Sequence, residues 1–290
     1  FVESLQPPIP REKKWVLIIS TLFGCPVGCR MCDAGNDYKG KLSEENMFAQ
    51  IDFLVHKRFP DGNIPVEKFK IQFARMGEPA FNRHVPGMLE KLPQRYNAPG
   101  LMPTLSTIAP EGTGGFFEAL LAIKKARYTQ GHFLLQFSIH STDEKIRDWL
   151  IPVRKWNLTK IANYGEKFYE PGDRKITLNF ALGKDIPINP EVLSTFFDPD
   201  KFLIKITPIN PTYRMVQNKL ISYINPNGYE KDCSQLLEEL RLWGYEVILS
   251  IGELEENNIG SNCGQLVTRY LKEKEYIRDA YTYPVLTWSI

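Results

Sequence analysis

Seven short apolar runs, separated by amphipathic stretches, limit the folds open to this chain. The runs are Trp15–Ser20, Lys68–Phe73, Met102–Ser106, His132–His140, Lys175–Leu182, Phe202–Ile209 and Tyr245–Ser250. Helical patterns lie between them, at Ser43–Leu54, Val85–Leu92, Gly115–Arg127, Leu158–Tyr169, Pro190–Phe196 and Glu230–Trp243. Ser43 is a helix cap, with Asn46 standing where a capping-box Glu or Gln would be. Parallel strands need long crossovers, and helices are the usual ones. The alternation therefore predicts an α/β chain with a mainly parallel sheet. About six strand–helix units suit an incomplete (β/α)6 barrel, because the closed eight-unit form typically takes ~250 residues of pure repeat. The expected organisation is a Pro-rich lead-in over 1–13, a barrel over 14–243, and a C-terminal strand, loop and helix over 244–290.

Composition narrows the class. The chain has 290 residues, 43% of them hydrophobic and 24% charged, with a net charge of +2. That balance gives no argument for a nucleic-acid partner from charge alone. The charge-free run Trp15–Phe23 is too short to span a bilayer, so no membrane role is expected. The five cysteines are an odd count, and three are too close together for a disulfide framework. A reducing, cytoplasmic setting is the expectation.

Those three cysteines, Cys25, Cys29 and Cys32, follow the first apolar run in the spacing Cys-x3-Cys-x2-Cys. In barrels of this kind chemistry sits in the loops at the C-terminal ends of the strands, which is where this triplet falls. Thiolates suit iron–sulfur clusters or zinc. A four-iron cluster held by three thiolates leaves one iron open to a small molecule. Two plainer readings compete: a zinc site completed by Cys233 or Cys263, and three unrelated buried thiols. Zinc ligands usually come as two close pairs, and no second pair exists here.

Further candidates stand at the ends of later runs. Met76-Gly77-Glu78-Pro79 offers a close backbone approach and a carboxylate that could receive an ammonium group. Ser106, the segment Ser138-Ile139-His140, and Asn210 place a hydroxyl, an imidazole and an amide at successive strand ends. Each alone is more often a cap or a turn; together around one mouth they suit a ribose, carboxylate and adenine site. Cys263, between Asn262 and Gly264, is a candidate nucleophile, with a buried thiol in a capping loop as the plain alternative.

Taken in order, these motifs, with Cys-Gly-Gln-Leu at 263–266 the most discriminating, resemble the RlmN/Cfr family of radical S-adenosylmethionine (SAM) methyltransferases. The resemblance runs from about Lys14 to about Lys272. It implies a partial (β/α)6 radical SAM barrel with a C-terminal strand and a cysteine-bearing loop. It implies a [4Fe–4S] cluster on Cys25, Cys29 and Cys32. It implies SAM held by Gly77, Glu78, Ser106, Ser138, Ile139, His140 and Asn210. Cys263 would accept a methyl group from one SAM; reductive cleavage of a second would turn that group into a carbon radical able to add to an sp2 carbon. An electron donor of flavodoxin or ferredoxin type is implied as well.

The chain departs from the family in ways that bear on substrate. A second essential cysteine, seven residues before the first cluster cysteine, is here Ile18. Cys233 is the only spare thiol, in a helical pattern. Glu3 aligns with a family glutamate only through an insertion. The family's N-terminal RNA-binding domain has no counterpart, and a basic stretch before the methylated cysteine is replaced by acidic Gly252–Glu256. The expected substrate is therefore a small molecule, a peptide or an RNA handled by a variant route, rather than ordinary ribosomal RNA. The remaining alternatives are a radical SAM enzyme in which Cys263 carries no methyl group, and a non-catalytic iron–sulfur or zinc module.

Overall fold

The computed structural model describes residues 1–4, 9–35, 38–225, 228–229, 232–252, 260 and 262–265, with only the backbone described within 224–233. One eight-stranded sheet organises it. Its strands are β1 (Val2–Ser4), β2 (Trp15–Ile19), β3 (Phe69–Phe73), β4 (Leu101–Thr107), β5 (Leu134–Ser138), β6 (Ile176–Leu182), β7 (Phe202–Pro208) and β8 (Val247–Leu249). They lie side by side in chain order. Only β1 is antiparallel to its neighbour; every pair from β2 to β8 is parallel. A sheet that always adds its next strand on the same side curls as it twists, and the result is a half-barrel.

Alternation along the strands decides what faces where. Phe69, Ile71 and Phe73 of β3 and Phe202, Ile204 and Ile206 of β7 are fully buried in one large core. That core is shared with the helices, so it lies on the convex side. The intervening residues, among them Lys70, Gln72, Thr104, Ser106, Gln136, Asn179 and Lys205, line the concave side, the barrel lumen.

Eight helices are described: α1 (Glu44–Arg58), α2 (His84–Arg95), α3 (Gly114–Arg127), α4 (Glu144–Leu150), α5 (Leu158–Phe168), α6 (Pro190–Ser194), α7 (Tyr213–Gln217) and α8 (Asp232–Leu242). Their starts follow local chemistry. Ser43, Asp143, Asn157, Asn189 and Thr212 each accept a backbone N–H of the first turn.

Sequence and structure differ at four elements. The expected strand His132–His140 shortens to Leu134–Ser138, because Gln130 and Gly131 turn the chain in at positive φ and His140, at φ 65°, turns it out. Helices α4 and α7 were not expected; both are short and built on caps rather than on long apolar periodicity. Strand β1 was also unforeseen. Its Glu3 accepts hydrogen bonds from Trp15 Nε1 (2.7 Å), Arg11 Nε (2.9 Å) and Arg58 Nη2 (2.6 Å), which tie the lead-in to β2 and α1. The expected helix near Leu266–Lys274 and the acidic Glu253–Glu256 lie outside the described residues, as does the side chain of Cys233.

Candidate active site

The cysteine loop leaves the C-terminal end of β2 and folds back on itself. Gly28 (φ 69°) and Gly35 make this possible: a Cβ on Gly35 would stand 2.5 Å from Gly28 Cα. Cys25 bridges Gly35, and Cys32 N–H donates to Cys29 O at 3.2 Å. Burial pushes the Cys29 thiol well up, and its neighbours Cys32 and Cys25 push it further. Burial likewise lifts Cys32 to about 12, with backbone hydrogen bonding near Ala34 opposing it. Cys25 is raised by burial too, while the N–H groups of Val27, Glu78 and Gly28 favour its thiolate. Three neutral thiols crowded this way are costly to ionise, and a bound cation reverses that balance.

Among the described residues, no three His, Cys, Asp or Glu side chains gather as ligands of a single metal ion. The donor set, three neighbouring thiols with backbone N–H groups close to Cys25 sulfur, fits an iron–sulfur cluster in its chemistry.

The Glu78 loop lies against this one. Gly77 has φ 101°, and a Cβ there would meet Leu22 Cγ at 2.5 Å, so only glycine fits. Glu78 is buried at the N-terminus of a 3-10 turn, Pro79–Phe81. Its carboxylate accepts from Thr107 Oγ1 (2.5 Å), Ile108 N (2.9 Å) and Ala80 N (3.0 Å). Burial raises its carboxyl to about 7 against those three bonds. Glu78 therefore locks the loop after β3 to the end of β4, with acceptor capacity left over. Asn82, fully buried, donates to Thr21 O (2.7 Å) and Leu42 O (2.9 Å) and fixes the same loop from behind.

Ser106 and Ser138 are half-buried on the lumen side of β4 and β5. Ile139 is different: its side chain belongs to the outer core, which leaves only its backbone for a ligand. His140 Nδ1 accepts from Ala181 N at 3.1 Å, which assigns the proton of the neutral ring to Nε2. Burial, then Arg147, hold its pKa at about 4, so it stays neutral.

Asn210 Nδ2 donates to Cys263 O at 2.9 Å. The Cys263 segment is held by several such contacts. Asp33 N donates to Gly264 O (2.8 Å), Gln265 Nε2 to Pro211 O (3.1 Å), and Arg75 Nη2 to Gly260 O (2.6 Å). Gly264, at φ 80°, sits so close that a Cβ would meet Met31 O at 3.0 Å. Cys263 keeps an exposed face. Its dense surroundings raise the thiol's pKa, while Lys205 and Arg75 pull it down.

Several of these contacts were not anticipated from the sequence. Asp33 caps α7 through Tyr213 N and Arg214 N, both at 3.1 Å. Arg214 Nη1 returns to Cys29 O (3.3 Å) and Gly35 O (3.2 Å). Thr212 Oγ1 donates to Met31 O at 3.1 Å. The loop after β7 thus closes over the cysteine loop. The only local signal was the Asp directly after Cys32.

Known proteins with this arrangement can now be compared. No protein-family model matches the chain. A probable dual-specificity RNA methyltransferase RlmN of Pseudothermotoga lettingae is 24% identical over 273 residues, covering 89% of this chain and 70% of that protein. The dual-specificity RNA methyltransferase RlmN of Buchnera aphidicola is 27% identical over 280 residues, covering 91% and 71%. Over about nine-tenths of its length the chain is thus similar in sequence to RlmN methyltransferases. A radical SAM methyltransferase from Sphaerobacter thermophilus shares the fold at a TM-score of 0.64 and 19% identity, over 91% of this chain and 72% of that one. Streptococcus suis SuiB, solved with S-adenosylmethionine, shares it more loosely, at a TM-score of 0.52 and 15% identity, over 81% and 50%. Enzymes of this class use a [4Fe–4S] cluster and SAM, and they require an electron donor and a substrate. No described helix is long and apolar enough to cross a membrane.

Proposed function

We propose that this chain transfers a SAM-derived one-carbon group through Cys263 to an sp2 carbon. In this reading Cys25, Cys29 and Cys32 hold the cluster, and Cys263 is the carrier. Gly77, Glu78, Ser106, Ser138, His140, Asn210 and the backbone of Ile139 line the SAM site. The bound cluster and SAM would supply a carbon-centred radical to a site that has no oxidising side chain of its own. The residues around them bind, orient and shield. Glu78 fixes two strand-end loops in one position. His140 offers a neutral N–H donor, because its Nδ1 is already an acceptor. Lys205 and Arg75 favour the thiolate of Cys263, the form that attacks a sulfonium methyl.

The observation that carries this reading is the clasp between the two cysteine segments, Asp33 N–H to Gly264 O, reinforced by Asn210 on Cys263 O. It holds a partly exposed thiol against the cluster loop, and a structural cysteine needs no such clasp. A flavodoxin- or ferredoxin-like protein is the proposed electron donor. The barrel over 14–243 and the segment over 244–290 are proposed to work as a unit.

Ordinary ribosomal RNA is not the proposed substrate. Ile18 faces the lumen, between Val2 and Gln72 in register. A hydrocarbon there has neither the acid–base nor the nucleophilic chemistry to release a covalent RNA adduct. The same residue favours a second reading, in which Cys263 carries no methyl group and no adduct needs release. Peptide mass spectrometry of anaerobically isolated protein separates the two. S-methyl-Cys263 supports the carrier; an unmodified thiol after turnover with SAM supports the second reading. Multiple-turnover formation of methyladenosine in ribosomal or transfer RNA would overturn the substrate proposal.

A further inference from the structure

The lumen below the mouth carries two cations, of which only Lys205 bears on the chemistry above. On β3, Lys70 alternates with the core residues Phe69 and Ile71; on β7, Lys205 alternates with Ile204 and Ile206. Both side chains therefore point into the lumen. Lys205 is the leading cation acting on Lys70, and Lys14, Lys68 and Arg174 add to it. Among the described residues, no carboxylate forms an ion pair with Lys70 or Lys205. Thr104, fully buried on the same face, has a hydroxyl without a hydrogen-bond partner. Below these residues a cavity of about 700 Å³ opens at the N-terminal rim, lined by Lys68, Met102, His132 and Arg174 among others.

Half-buried cations without a counter-charge are costly, and the buried Thr104 hydroxyl without a partner adds to the cost. A chain that keeps both on one face has a site whose missing component is an anion. We propose that the lumen binds the anionic end of the substrate, and that this substrate is a small carboxylate- or phosphate-bearing molecule seated on Lys70 and Lys205. This rests on the mouth being the reaction site proposed above. Lys205 is the link between the two, since it acts on the Cys263 thiol from below. A molecule whose charge sits on Lys205 presents its uncharged remainder to Cys263. A barrel interior walled by strands on its concave side admits one small anion far more readily than a polynucleotide backbone. Burial and the neighbouring cations already hold Lys70 near a pKa of about 7, so a bound anion also restores its full charge.

The test uses inorganic phosphate and succinate as probes on the cluster-loaded full chain. Phosphate binding is followed by calorimetry and by the Nζ signals of 15N-labelled lysines. We expect succinate to compete with phosphate, two lysine signals to shift, Lys70→Met and Lys205→Met each to weaken binding at least tenfold, and Lys70→Arg to retain it. Wild-type protein that binds and cleaves SAM but shifts no lysine signal with either probe would overturn the lumen site while leaving the proposed function intact. Lysine shifts without any SAM cleavage would do the reverse. Transfer RNA that displaces phosphate from wild type, and loses affinity in the same variants, would overturn the small-molecule class. The wild-type lysine signals decide the matter even if a substituted chain fails to fold.

Discussion

Replacing Gly35 by Ala tests the geometry of the cysteine loop directly. Gly35 has no positive φ, so alanine is acceptable to its backbone, and the whole effect is steric. The new methyl would stand 2.5 Å from Gly28 Cα, 2.8 Å from Arg214 Nη1 and 3.0 Å from Gly28 N. Ordinary contact begins near 3.4 Å, so the two sides of the loop must part by about 0.9 Å. The atoms to be moved are mainly backbone, and they cannot rotate away. Overpacking of this kind costs about 1–3 kcal/mol. For a chain of this size that lowers Tm by roughly 2–5 °C. The larger consequence is for metal binding, because a ligand set tolerates only about 0.5 Å of displacement before it is misplaced. Gly35→Ala should bind less than half the wild-type iron after anaerobic reconstitution, read as iron per chain and as visible absorbance. Gly115→Ala, with nothing within 4 Å of its new methyl, is the matched control and should bind iron normally. Full iron content and an unchanged Tm in Gly35→Ala would show that the loop is not closed on itself as described.

Other outcomes follow from the same contacts. The Glu78 carboxyl stands at about 7 in the folded chain against an ordinary 4.5, so the folded state binds the extra proton. Its stabilising contribution is complete below pH 4.5 and is lost as pH rises through about 7, a change of about 3 kcal/mol. Thermal melts at pH 5 and pH 8 should therefore differ more for wild type than for Glu78→Gln, and equal differences would remove the argument. Asn210→Ala deletes one bond to the Cys263 carbonyl, at about 1 kcal/mol, and should speed iodoacetamide labelling of Cys263 several-fold. Cys263→Ala should keep iron and SAM binding but make no methylated product; retained product would end the carrier role. Cys29→Ala should form no 5′-deoxyadenosine, and full formation would show that Cys29 is no cluster ligand.

The sequence by itself determined what repeats locally. Alternation along Phe69–Phe73 and Phe202–Pro208, and polar residues ahead of apolar periodic stretches, announce strands and capped helices because both signals act within a few residues. The cysteine spacing announced its chemistry for the same reason. Tertiary structure decided which loops meet. Asp33 caps a helix 181 residues away, and Arg75 holds Asn262 O across 187 residues. No periodicity encodes a contact at that distance; it exists only because a curling parallel sheet brings all its strand ends to one rim. The same curl gave Lys70 and Lys205 their meaning. In sequence each is a charged interruption of an apolar strand. Curling the strands around them turns those interruptions into a charge shared across one lumen and unpaired among the described residues.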